Sequence, residues 1–144
     1  MADRIARHRG ERPAAWPTVE EPVDVVPACR RLVGSVEVVV LDCLTLWVAG
    51  AMERGDDASV LAAAEELAKL MDERLVSLLI VSNEVGQGAH APTAAGLRFV
   101  DLLGRVNQRI AAAADRVTLL VAGVPVAVKS PPSVPGHGSA VEAP

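Results

Sequence analysis

Aromatic residues are almost missing from this chain. It has no tyrosine, one phenylalanine (Phe99) and two tryptophans (Trp16 and Trp47) in 144 residues. Single-stranded nucleic acid is bound on successive aromatic rings that stack its bases, and so sparse a set excludes that class. Lysine is nearly as scarce, with only Lys69 and Lys129. Together with a net charge of −4, this excludes broad electrostatic adhesion to DNA or to an anionic membrane. The two cysteines, Cys29 and Cys43, form no C-x-x-C pair and have no histidine at metal-ligand spacing, which predicts buried thiols in a reducing compartment. No charged-then-apolar leader opens the sequence. No apolar run approaches the ~20 residues needed to span a bilayer. The expected location is the cytoplasm.

What the chain does have is aliphatic: 51% of its residues are apolar, mostly Ala, Val and Leu, enough for a core, and its length fits one domain. A run from Val36 to Leu41 is nearly all β-branched and reads as a strand buried on both faces, ending at Asp42. Leu44 to Ala51 reads as a short helix. Asp56-Asp57 offers an N-terminal cap to a longer one, in which Val60, Ala64, Leu67 and Met71 recur at helical spacing up to about Leu75. Val76 to Ser82 is a second strand, closed by the polar loop Asn83 to Gly88. A helix over 93–114 follows, with Phe99, Leu103, Val106 and Ile110 on one face, and then a third strand, Val117 to Ala122. Before all this, residues 2–12 read as a short helix stopped by Pro13. Residues 13–27, with four prolines, read as an extended loop. From Ser130 onward the Pro/Gly/Ser/Ala composition predicts a disordered tail. Strand and helix in alternation predict an α/β fold on a parallel sheet, whose working residues lie at the carboxyl ends of its strands. Asp42 and the Asn83-Glu84 loop both fall there.

The densest chemistry lies at Arg4 to Glu20. Arg4, His8 and Arg12 share one helical face, with Arg7 and Arg9 beside them. A neutral imidazole can attack an α-phosphate and form a phosphoramidate, and guanidinium forks neutralise the charge that builds on the phosphoryl oxygens. The alternative for His8 is an exposed helix histidine. Glu20 and Glu21 are either solvated loop acids or acceptors for the N1–H and N2–H₂ edge of guanine, with Trp16 packing nearby. Asp42 has the form of a Walker B acid able to hold Mg²⁺ beside nucleotide phosphates; the alternative is a helix cap. The matching P-loop, G-x-x-x-x-G-K-[ST], is absent from the sequence. Lys129-Ser130 follows Gly123, but the second glycine is replaced by Val128 and the segment runs into Pro131-Pro132. Asn107, Gln108 and Arg109 read as a solvated face or a subunit contact. His90 and His137 read as loop and tail residues.

Four stretches together resemble one known family: Arg4-Ile5-x-x-His8-x-x-x-Arg12-Pro13-x-x-Trp16-x-Thr18-x-Glu20; Leu41-Asp42-Cys43-Leu44-Thr45-Leu46-Trp47; Val81-Ser82-Asn83-Glu84-Val85-Gly86-x-Gly88; and Arg98-Phe99 through Asn107-Gln108-Arg109-Ile110-Ala111 to Ala114-Asp115. Their order and spacing, over residues 1–129, resemble the bifunctional adenosylcobinamide kinases / adenosylcobinamide-phosphate guanylyltransferases of cobalamin biosynthesis. The resemblance implies a three-layer P-loop NTPase (RecA-like) α/β domain over 1–129 and a tail over 130–144. It implies two reactions: phosphorylation of adenosylcobinamide by ATP or GTP, then transfer of GMP from GTP through a guanylylated histidine. His8 stands at that histidine. Arg9, Gly10, Glu11 and Arg12 match the adjoining nucleotide-binding segment, and Glu20 and Asp42 match its acidic positions. The implied ligands are GTP or ATP with Mg²⁺, the latter at Asp42, and adenosylcobinamide with its phosphate. No permanently bound cofactor, nucleic acid or membrane span is implied, and the implied assembly is a homotrimer.

Two departures accompany the resemblance. In the family a strand, the P-loop, its helix and a second strand precede the histidine helix, so the sequence reads as an N-terminally truncated version. The Gln87 to Pro92 loop, with His90, also differs from the apolar residues usual there. The alternative functional readings are a non-catalytic remnant that oligomerises and binds nucleotide weakly or not at all, and a regulatory phosphate-binding module resting on the arginine cluster.

Overall fold

The computed structural model describes residues 10, 13, 15–86, 88 and 93–131. The predicted helix over 2–12 lies outside these residues except for Gly10, as do the Gln87 to Pro92 loop apart from Gly88, and the tail beyond Pro131.

The first described element is a helix, α1 (Val25–Leu32), and it corrects the reading of residues 13–27 as loop throughout. Pro27 does not prevent it. In the first turn of a helix the missing N–H has no intrahelical partner to lose, and the fixed φ is already helical. Glu21 prepares the entry, its Oε1 accepting from the backbone N–H groups of Val23 (3.1 Å) and Asp24 (3.0 Å). The Ala28 N–H then closes the first turn on the Asp24 carbonyl. Val25, Val26, Ala28 and Cys29 are buried.

After a turn at Gly34 (φ +80°), the valine run forms β1 (Val38–Asp42). It leads through α2 (Leu44–Met52) and α3 (Asp57–Glu73) to β2 (Ser77–Val81). Helix α3 is bounded as its sequence dictates. Asp56 accepts from the Ser59 N–H at 2.8 Å, and Arg74 closes the end in the left-handed conformation (φ 54°). Helix α4 (Ala94–Ala113) is capped by the Thr93 hydroxyl, which accepts from the Gly96 N–H. β1 and β2 pair in parallel, with Val39 opposite Leu78, Leu41 opposite Ile80 and Asp42 opposite Val81.

One side of this pair carries the core. Val39, with the partly buried Leu41, Leu78 and Ile80, packs against Leu44, Trp47 and Val48 of α2, Leu67 and Leu70 of α3, and Leu102, Leu103, Val106 and Ile110 of α4. The other side is open: Val38 is 55% exposed, Val40 45%, Leu79 58% and Val81 39%. The valine-rich run is therefore buried on one face only.

The third strand is a second correction. β3 (Val117–Val121) does not join the parallel pair among the described residues. It pairs antiparallel with β4 (Val124–Lys129) in a separate two-stranded sheet. Between them Ala122 (φ 51°) and Gly123 (φ 82°) are both left-handed, as a two-residue hairpin turn matched to strand twist requires. Pro125 lies in β4, where its missing N–H is tolerated on an edge strand. Lys129 anchors the hairpin: its Nζ donates to the carbonyl oxygens of Ala111 (3.1 Å) and Ala112 (2.7 Å) at the end of α4, where a cation is favoured by the helix dipole. That use fits its rejection as a P-loop lysine.

Candidate functional site

The carboxyl end of β1 opens onto a cleft of about 360 Å³, lined by Glu20, Glu21, Pro22, Val25, Leu41, Asp42, Cys43, Leu46 and Trp47. Its volume is at the lower end of the range for small-molecule sites. The loop after Val19 forms one wall and the turn from β1 into α2 the other. The two acids singled out by sequence, Glu20 and Asp42, thus lie around one cavity, although they come from different elements.

The two neighbouring glutamates separate clearly. Glu21 is committed to the start of α1, and the backbone N–H groups of Asp24 and Val23 hold its carboxyl below the usual range. Glu20 is exposed and lines the cleft. Asp42 is exposed and does not cap a helix: the residue at the N-cap of α2 is Cys43. Cys43 is partly buried and Cys29 fully so, both as free thiols, and burial pushes the Cys29 thiol up.

Trp47 was missed by sequence reasoning as a site residue. It is 4% exposed, and its indole Nε1–H donates to the Val23 carbonyl at 2.9 Å, pinning the loop that bears Glu20 to the helix that follows Asp42. Trp16, expected beside the acids, is 62% exposed and is not among the residues lining this cleft. A signal for Trp47 existed in its position on the helix directly behind Asp42.

Asn107, read as part of a solvated face or a subunit contact, is partly buried and hydrogen-bonded within the chain. Ser82 Oγ donates to Asn107 Oδ1 at 2.6 Å, Asn107 Nδ2 donates to the Asn83 carbonyl at 3.2 Å, and the Asn83 N–H donates to Thr45 Oγ1 at 3.2 Å. Gly86 (φ +99°) lets the loop after β2 pass close to α4: a Cβ there would meet Val100 Cγ1 at 3.0 Å.

His8, Arg9, Glu11 and Arg12 lie outside the described residues. Gly10 is described as helical and exposed. Among the described residues no three His, Cys, Asp or Glu side chains group as a metal cage. Mg²⁺ typically takes one or two carboxylates and completes its shell with water and substrate phosphates. A single strand-end aspartate therefore fits a magnesium that arrives with a nucleotide.

Comparison with known proteins decides the family. The model of the cobinamide kinase / cobinamide phosphate guanyltransferase family matches residues 1–128. The chain belongs to that family. It is 36% identical over 132 residues to the bifunctional adenosylcobalamin biosynthesis protein CobP of Pseudomonas aeruginosa, covering 92% of this chain and 76% of that protein. It is 32% identical over 142 residues to the bifunctional adenosylcobalamin biosynthesis protein CobU of Escherichia coli, covering 90% and 78%. The CobU of Salmonella typhimurium is 32% identical over 148 residues, again at 90% and 78%. The matched span takes in His8 as well as Glu20 and Asp42 of the cleft. No helix among the described residues is long and apolar enough to cross a membrane.

Proposed function

We propose that this member of the cobinamide kinase / guanyltransferase family binds GTP in the cleft between Glu20 and Asp42 and transfers its GMP to adenosylcobinamide phosphate through His8. The observation that carries the reading is the convergence of Glu20 and Asp42 on one cavity at the carboxyl end of a parallel strand pair, where α/β sheets bind their ligands. On this reading β1 and β2 belong to a three-layer, RecA-like P-loop sheet, and the working unit is a homotrimer. The kinase step, on adenosylcobinamide with ATP or GTP, would use the same carboxylates, although the sequence holds no G-x-x-x-x-G-K-[ST].

The chemistry assigns each residue a task. An imidazole nitrogen of His8 attacks the α-phosphorus. A P–N bond forms, the bond to the bridging oxygen breaks, and pyrophosphate leaves with the electron pair while the ring gives up its N–H proton. A phosphate oxygen of the corrinoid substrate then attacks the same phosphorus. The P–N bond breaks, and the imidazole recovers a proton. Arg9 and Arg12 neutralise the phosphoryl oxygens as charge grows on them. Glu20 accepts from the guanine edge, with Gly10 and Glu11 in the adjoining nucleotide-binding segment. Asp42 would hold Mg²⁺, which supplies charge neutralisation at the phosphates when bound.

Incubation with GTP labelled at the α-phosphate tests the reading. Acid-labile, base-stable label on the wild type and none on His8→Ala is the expected result. An unlabelled wild type, or label that survives His8→Ala, overturns it. A protein that is folded and oligomeric by sedimentation, yet whose melting temperature is unmoved by GTP and Mg²⁺, would instead support a non-catalytic, oligomerising relative.

A further inference from the structure

The strand ladder that holds Asp42 in place stops at Asp42 itself, opposite Val81. Beyond that pair β1 turns into α2 and β2 runs out toward Gly86, so nothing in the sheet fixes the two exits against each other. Side chains do so instead. Asn107, partly buried on α4, accepts from Ser82 Oγ and donates to the Asn83 carbonyl. Thr45, in the first turn of α2, accepts from the Asn83 N–H. Both backbone polar groups of Asn83 are thus held by side chains, one from α4 and one from the helix that begins just after Asp42. Cys43 and Leu46, on either side of Thr45, line the cleft, whereas Asn107, Ser82 and Asn83 do not.

We infer that Asn107 is a positioning residue: through Asn83 and Thr45 it locks the exit of β2 against the Asp42–Leu46 turn and so sets the affinity of the cleft for magnesium-bound nucleotide. An asparagine does this where other side chains of its size do not. It offers an acceptor to the Ser82 hydroxyl and a donor to the Asn83 carbonyl at once. Aspartate keeps the first bond and replaces the second by two facing acceptors. Leucine leaves both the Ser82 hydroxyl and the Asn83 carbonyl without their partner on α4, so the two strand exits are no longer tied together. The inference rests on the nucleotide reading of the cleft given above.

The test is calorimetric titration of the full chain with GTP in excess Mg²⁺, alongside thermal melts. Asn107→Ala and Asn107→Asp are expected to weaken binding about tenfold, the order seen when outer partners of ligand-holding groups are removed. Ser82→Ala, which removes one bond of the set, should weaken it less, and Ser82→Thr, which restores the hydroxyl, should recover binding relative to Ser82→Ala. Asp56→Ala removes the α3 cap away from the cleft and serves as the control: it should lower the melting temperature and leave the affinity unchanged. If the wild type binds GTP and the Asn107 variants bind equally well, the positioning role is wrong and the nucleotide reading stands. If the Asn107 variants do not fold, equal affinity of Ser82→Ala and wild type overturns the inference on its own. If the wild type does not bind GTP, both fall together.

Discussion

The two faces of the β1–β2 pair are built from almost the same residue types and live in opposite environments. Val39, Leu41, Leu78 and Ile80 look onto three helices, while Val38, Val40, Leu79 and Val81 look outward and are all more than a third exposed. Alternation along a strand separates the two sets by a single residue, so hydrophobicity alone does not say which set makes the core. The helices decide it: α2, α3 and α4 lie on one side, and each brings fully buried leucine or valine, namely Leu44 and Val48, Leu67, and Leu102, Leu103 and Val106. An apolar face of this kind, continuous over two strands, is unusual on an isolated soluble chain. It marks a part of the molecule whose stability owes little to the described packing.

The sharpest way to break that comparison is to truncate one residue on each face. Leu102→Ala empties a fully buried position and should cost about 3 kcal/mol, within the range for buried leucines. Leu79→Ala, at a position 58% exposed, should stay within about 0.5 kcal/mol. Urea unfolding of the two variants, compared through their midpoints at equal slopes, measures the difference. Leu79→Lys extends the experiment: the same small effect on stability, with less self-association by sedimentation, is the expected outcome. Equal costs at the two positions would mean that the outer face is covered in solution and that the contrast between faces belongs to the lone chain only.

Much of this architecture was legible in the sequence, and the exceptions have physical causes. The valine run of β1, the Asp56 cap and the periodic stripes of α3 and α4 are local signals, and each marks its element. Helix α1 was missed because Pro27 reads as a breaker, and only its place in the first turn makes it harmless. The burial of β1 on both faces was expected from composition, which records apolarity but not what stands opposite. β3 was expected to be parallel because it follows a helix. The competing signal, two left-handed residues at Ala122-Gly123 joining two apolar runs, was present but weakened by Pro125. At the site, Asp42 stands out by its place at a strand end, Glu20 is set apart from Glu21 only by the family resemblance, and the meeting of Glu20 and Asp42 in one cleft is a tertiary fact. Asn107 had a readable clue: it lies four residues after the buried Leu103 and three before the buried Ile110, so it belongs to the edge of the buried stripe.

The hairpin offers a middle-sized effect and a second contrast with the packed face. Most of β3 and β4 is exposed, so the turn carries an unusual share of what holds the two strands in register. Ala122 occupies a left-handed conformation there, which for an L-residue with a Cβ costs roughly 1–2 kcal/mol. Glycine removes that strain but loses more entropy on folding. Ala122→Gly should therefore stabilise by about 0.5 kcal/mol, read as a higher denaturation midpoint and slower amide exchange across β3 and β4. Unchanged exchange there would place the stability of the hairpin in the Lys129 anchor on α4 and not in its turn.

The smallest effects per site come from acids that tie the helices of the packed side together. Asp115 is held below its ordinary 3.8 by the Arg74 side chain, Glu73 below its ordinary 4.5 by Arg30, and Asp56 below 3.8 by the Ser59 backbone N–H. Glu21 is lowered by the backbone N–H groups at the start of α1. In each case the folded protein favours the ionised form, so the unfolded chain binds the proton first. The stabilisation is complete above the unfolded values and is lost as pH falls through the lowered folded ones. The melting temperature should be level from neutrality down to about pH 5, then decline progressively below the ordinary carboxyl range. The two ion pairs, Arg74–Asp115 and Arg30–Glu73, are exposed enough for salt to screen them, which limits their contribution. Asp115→Asn removes one of these titrations without removing the side chain's shape, and its melting curve should be lower than wild type at pH 7 and converge with it at low pH. A constant offset between the two curves across the whole range would show that Asp115 acts through packing and not through its charge.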